Sequence, residues 1–127
     1  MTKRVVITGM GVVSPIGNDV NTFWNNLVNG VCGIDYIEEF PTENLPVKIA
    51  GKIKNFHPED YGMDKPFIRK QDLFTQFGMA AAYQAMQQAG LVTEGEGKNI
   101  DPFRLGVYVG SGIGGFEIQY RETATMI

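Results

Sequence analysis

A chain of 127 residues with 43% hydrophobic and 20% charged side chains has the composition of one ordinary globular domain. Its net charge of −3 argues against a nucleic-acid partner, and no apolar stretch approaches the length of a bilayer span. Cys32 is the one cysteine, so an internal disulfide is excluded, and the Val5-Val6-Ile7 run after Arg4 is too short for a signal-peptide core, which leaves a cytoplasmic protein as the expectation.

Residues 4–10, with Val5, Val6 and Ile7 at their centre, read as a buried strand. The next stretch is a near-miss to a dinucleotide fingerprint, but Pro15 and Gly17 fall where that motif's helix would begin. Asn18 or Asp19 is a better helix start, because either side chain can accept from exposed backbone N–H groups. The helix then carries Phe23, Trp24, Leu27 and Val28 as a packing stripe, and Gly30 is expected as its left-handed cap. Cys32 has no neighbouring His, Lys or Arg in sequence and is expected to be a small buried hydrophobe.

Residues 47–56 alternate Val47, Ile49, Ile53 and Phe56 with lysines and predict a short strand or ribbon interrupted at Gly51. His57, the only histidine, precedes a proline and is expected to face solvent or cap a turn. Charge is unevenly spread. Residues 48–70 hold Lys48, Lys52, Lys54, Lys65, Arg69 and Lys70 against three acids, a net +3, while the remainder is −6. Such a patch suits either docking of a small acidic partner or an ordinary solvated face.

Asp64 can cap a turn containing Lys65 and Pro66. A long helix is expected over 72–89, with Phe74, Phe77, Gly78, Ala81, Ala82, Ala85 and Ala89 on one side and Gly90 as its cap. Small residues on that side imply close backbone packing. A polar loop follows over 93–99.

Residues 105–116, LGVYVGSGIGGF, predict a second buried strand that breaks into a glycine turn and leads to a helix from Phe116. A strand ending this way points to a site at the carboxyl end of a sheet. Gly110, Gly112 and Gly115 also match G-x-G-x-x-G. Against a dinucleotide site, the fingerprint belongs in a first βα unit and its acidic ribose partner would fall past Ile127. A glycine turn that lets the chain enter a closely packed helix is the preferred reading.

Three stretches together carry a family resemblance: RVVITGMGVVSPIG at 4–17, RKQDLF at 69–74 and VGSGIGG at 109–115. Their ordered set resembles the β-ketoacyl-acyl-carrier-protein synthases of fatty acid synthesis, and Ile113 in the glycine loop looks more like the type II enzymes. The resemblance implies an α/β, thiolase-like fold of parallel core strands flanked by helices, with residues 1–127 as its incomplete amino-terminal portion. It also implies a homodimer in the full-length enzyme, malonyl and acyl thioester substrates, an acyl carrier protein as partner, and no cofactor or metal. The implied reaction is a decarboxylating Claisen condensation on an active-site cysteine, assisted by two histidines. None of those three is present: Cys32 and His57 do not match their positions, and the chain alone is expected to be inactive. Ile113 resembles the side chain that gates the acyl pocket. Arg69 and Lys70 match the carrier-protein docking surface, with Lys65 near it but shifted in register. The alternative is a complete, non-catalytic module that binds a carrier protein or a dinucleotide. Two core strands and a small ribbon would make a thin sheet with open edges, so the isolated chain is expected to be marginally stable or to share its edges with a partner.

Overall fold

The computed structural model describes residues 2–93 and 95–126. It divides into two compact units, Val12–Phe56 and the pair of segments Met1–Gly11 and His57–Ile127.

In the Val12–Phe56 unit, residues 14–17 close a tight turn, with the Ser14 and Gly17 backbones exchanging hydrogen bonds of 2.9 and 3.1 Å. The chain then enters helix α1 (Val20–Val28). Asp19 caps it: Oδ1 accepts from the Thr22 amide at 2.9 Å and Oδ2 from the Thr22 hydroxyl at 2.6 Å. These two bonds, the hydroxyl's first, hold the Asp19 carboxyl below its ordinary pKa. At the other end Gly30 takes φ 69°, its amide donates to the Leu27 carbonyl, and the Val31 amide donates to Asn26. That is a Schellman stop. Strands β1 (Ile34–Tyr36) and β2 (Ile49–Gly51) pair antiparallel, Ile34 opposite Gly51. The ribbon predicted over 47–56 is therefore shorter, and its partner is a segment the alternation did not mark.

No described residue of this unit is fully buried. Trp24, Leu27 and Val28 are exposed, and only Phe23 of the predicted α1 stripe is half-buried. Cys32 is likewise exposed, not buried as its surroundings in sequence suggested. So short a unit has too much surface for its volume to enclose an apolar interior.

In the other unit a 3-10 turn (Pro58–Tyr61) follows His57, which is exposed at its cap position and makes no side-chain cap bond there. Helix α2 (Lys65–Lys70) starts at Asp64, whose Oδ1 accepts from the Phe67 amide at 2.8 Å. Helix α3 (Leu73–Ala89) ends at Gly90 with φ 66°. A second 3-10 turn (Pro102–Arg104) precedes the glycine stretch, and helix α4 (Phe116–Thr125) follows it.

The predicted small-residue side of α3 receives residues 9–11. A Cβ on Gly9 would land on the Ala85 carbonyl and one on Gly11 on the Ala81 carbonyl. Two residues of extended chain advance about 6.6 Å and four of helix about 6 Å, so glycines two apart can track alanines four apart. The Met10 amide between them donates to Gln88 Oε1 at 2.6 Å.

The two apolar runs differ from expectation. Neither 4–10 nor 105–109 joins a strand ladder among the described residues. Val5 is 95% exposed and Val107 83%. Local sequence can report that a run suits a buried strand, but its partner must come from elsewhere, and these two runs do not pair with each other. The buried stripe of α3 is also displaced from the predicted one. It runs through Gln76 and Ala80, below Asp72, whereas Phe74, Gly78 and Ala82 are exposed.

Candidate functional site

Two of the residues singled out by sequence, Ile113 and Arg69, line clefts at the start of α3. Asp72, in the cap position of α3, is only 6% exposed, yet its carboxylate makes no cap bond to that helix. It accepts instead from the Ile118 amide, at 3.3 Å to Oδ1 and 3.5 Å to Oδ2. Ile118 lies in the first turn of α4, where amides lack partners within the helix. Gly115, with φ 78°, stands in the cap position of α4 and has no side chain to offer. Phe74, two residues after Asp72, lays its ring against the glycine loop: a Cβ on Gly114 would meet its Cε2 and Cζ at 2.6 Å. A side chain at 114 would have to displace that ring. Gly110 and Gly112 have open space where a Cβ would stand. Asp72, Phe74, Ile113, Gly114 and Phe116 line a shallow cleft of about 180 Å³. Ile113 itself is 82% exposed at its rim.

The basic residues divide. Lys52 pairs with Glu39, and Lys54 with Asp35 at 3.0 Å, all four within the Val12–Phe56 unit. Those bonds lower the carboxyl pKa of Asp35 and Glu39 and raise that of the Lys52 ammonium. Lys65, Arg69 and Lys70 are exposed on α2 and form no ion pair among the described residues. Lys65 and Arg69 are four apart on a helix and so share a face. Arg69 and Lys70 also sit in the last turn, where cations complement the helix dipole. Gln76 secures this corner, donating from Nε2 to the Ile68 carbonyl at 3.2 Å and the Gln71 carbonyl at 2.9 Å. Arg69 shares a cleft of about 250 Å³ with Gln71, Gln76, Glu117 and Arg121.

Cys32 lines a separate cleft with Ser14, Asn26 and Lys54 in the Val12–Phe56 unit, and its thiol lies 3.8 Å from the Ile34 carbonyl. His57 is in the other unit and contributes to neither cleft at α3. Among the described residues, no three His, Cys, Asp or Glu side chains gather where a metal ion could be held, and no helix is long and apolar enough to cross a membrane. Sequence reasoning missed Asp72, Phe74 and Gln76 as the residues that join α2, α3 and the glycine loop. The signal available was a carboxylate at a helix start followed four residues later by an amide on the buried side.

This α/β arrangement, with a glycine loop seated on the start of a long helix, is the amino-terminal part of a ketosynthase-like thiolase fold. A solved ishigamide ketosynthase/chain length factor superimposes with a TM-score of 0.62 at 32% identity, covering 69% of this chain and 22% of that one. The chain belongs to the β-ketoacyl synthase family: residues 2–126 match the family described as "Beta-ketoacyl synthase, N-terminal domain". It is 48% identical over 124 residues to a Staphylococcus aureus (strain COL) protein named 3-oxoacyl-[acyl-carrier-protein] synthase 2, covering 94% of this chain and 28% of the relative. A Vibrio cholerae protein of the same name is 47% identical over 116 residues, 91% of this chain and 27% of the relative. The chain thus spans a little over a quarter of the curated relatives it matches.

Proposed function

We propose that residues 1–127 are the incomplete amino-terminal part of a type II β-ketoacyl-acyl-carrier-protein synthase, and that this part alone is inactive. The family match over residues 2–126 carries the reading. In the proposed reaction an acyl group sits as a thioester on the enzyme's cysteine. Malonyl carrier protein loses carbon dioxide, and the resulting enolate carbon attacks the acyl carbon. The cysteine thiolate leaves, and the product is a β-ketoacyl carrier protein. The nucleophile and its two histidines are supplied by other residues of the enzyme, not by Cys32 or His57. The whole enzyme is a cytoplasmic homodimer that needs no cofactor.

Two roles fall to this chain. Ile113 gates the acyl pocket: an exposed apolar side chain beside glycines can be displaced by a longer substrate. Arg69 and Lys70 dock the acidic carrier protein, and Lys65, one turn away on α2, extends that surface. Charge of this kind mainly steers and orients the encounter. Calorimetry with an acyl carrier protein and with NAD(H) separates carrier binding from the dinucleotide-binding alternative. Weak carrier binding that weakens with salt, with no NAD(H) binding, is expected. NAD(H) binding to the chain would contradict it.

A further inference from the structure

The Asp72 carboxylate is almost wholly buried, unused by its own helix, and bound to an amide 46 residues away. A desolvated carboxylate needs donors, and the Ile118 amide at the positive end of α4 provides one, shared between both oxygens at 3.3 and 3.5 Å. Its effect is to tie the first turn of α4 to the start of α3. Two residues on, the Phe74 ring backs Gly114. Ile113 is therefore followed at once by backbone that two side chains of the same helix start hold in place, while its own side chain stays exposed. We propose that Asp72 is a positioning residue for the gate: it fixes the rest position of Ile113 and so sets which acyl thioesters, by chain length, enter the pocket. This rests on the reading of Ile113 as the gate.

A loosened tie lets Ile113 leave its rest position more readily, which removes part of the penalty against long chains. The test is the ratio of kcat/KM for dodecanoyl over hexanoyl thioester in the intact synthase bearing this chain, with Ile118 amide exchange measured alongside. Asp72→Ala is expected to raise the ratio by about fivefold or more, within the range that pocket contacts discriminate, and to speed Ile118 exchange. Asp72→Asn keeps an acceptor oxygen and is expected to hold the ratio within about twofold of wild type. Asp72→Ser keeps a polar side chain at the helix start but is too short to reach the Ile118 amide, so it decides the matter if Asp72→Ala does not fold. It too is expected to shift the ratio. Unchanged ratios in the folded variants of an active enzyme would overturn the role of Asp72 alone. A wild-type synthase with no acyl transfer would overturn the functional reading, and this proposal with it.

Discussion

Helices α1 and α3 stop by the same rule and part company on their faces. Each begins after an aspartate and stops at a left-handed glycine, Gly30 or Gly90. Each carries a side that sequence marks for packing. On α1 that side is Phe23, Trp24, Leu27 and Val28, and most of it is exposed; on α3 the alanines are met by Gly9 and Gly11. Ends are decided by a few neighbouring residues, whereas a face is decided by whatever the rest of the chain brings to it.

The largest effect that can break this contrast lies on α3. Gly9→Val forces a branched side chain onto the Ala85 carbonyl and is expected to cost about 1–3 kcal/mol, as overpacking does. Trp24→Ala on α1 should cost far less. Thermal unfolding of the two variants reads the difference, and equal losses would mean that α1 is covered after all.

Gln76→Ala comes next. It strands the half-buried Ile68 and Gln71 carbonyls at the end of α2, with an expected loss of about 1 kcal/mol. The same variant should loosen α2, seen as faster amide exchange over 65–70.

Asp19→Ala at the α1 cap should cost about 1 kcal/mol. The pH dependence has a definite sign. The folded Asp19 carboxyl titrates below its unfolded value, so the cap contributes in full above the ordinary range near about 3.9 and fades as pH falls through the folded value. Exchange at the Thr22 amide should therefore quicken on acidification in wild type and be less pH-sensitive in Asp19→Ala once intrinsic exchange is divided out.

The smallest effects on stability concern charge, and here function sharpens what stability cannot. Reversing Arg69 and Lys70 should lower stability only slightly, through the lost match to the α2 dipole, but abolish carrier-protein binding. Reversing Lys52 and Lys54, already engaged with Glu39 and Asp35, should weaken binding much less. Equal losses in calorimetry would return the docking surface to the whole basic segment.

These contrasts also mark what could be read from sequence. The caps at Asp19, Asp64, Gly30 and Gly90 follow from side-chain chemistry within a turn of chain, and all four were legible. The glycine turn ahead of α4 was legible as a close approach, though its neighbour, Phe74, was not. Val5–Ile7 and Val107–Val109 read as buried strands because their side chains suit one, yet burial depends on partners that no local pattern names. Cys32 failed for the same reason in reverse: an apolar neighbourhood in sequence became a surface in space. Asp72 was visible as a helix start, but its bond to Ile118 spans 46 residues and has no signature in either segment alone.

The central claim is that this chain provides scaffold, gate and docking surface while the reactive thiol belongs to other residues of the enzyme. The most direct measurement is acyl transfer from a radiolabelled acyl carrier protein to the 127-residue chain, followed by peptide mapping. The account predicts no acylated protein. A stable, stoichiometric thioester on Cys32 would contradict it.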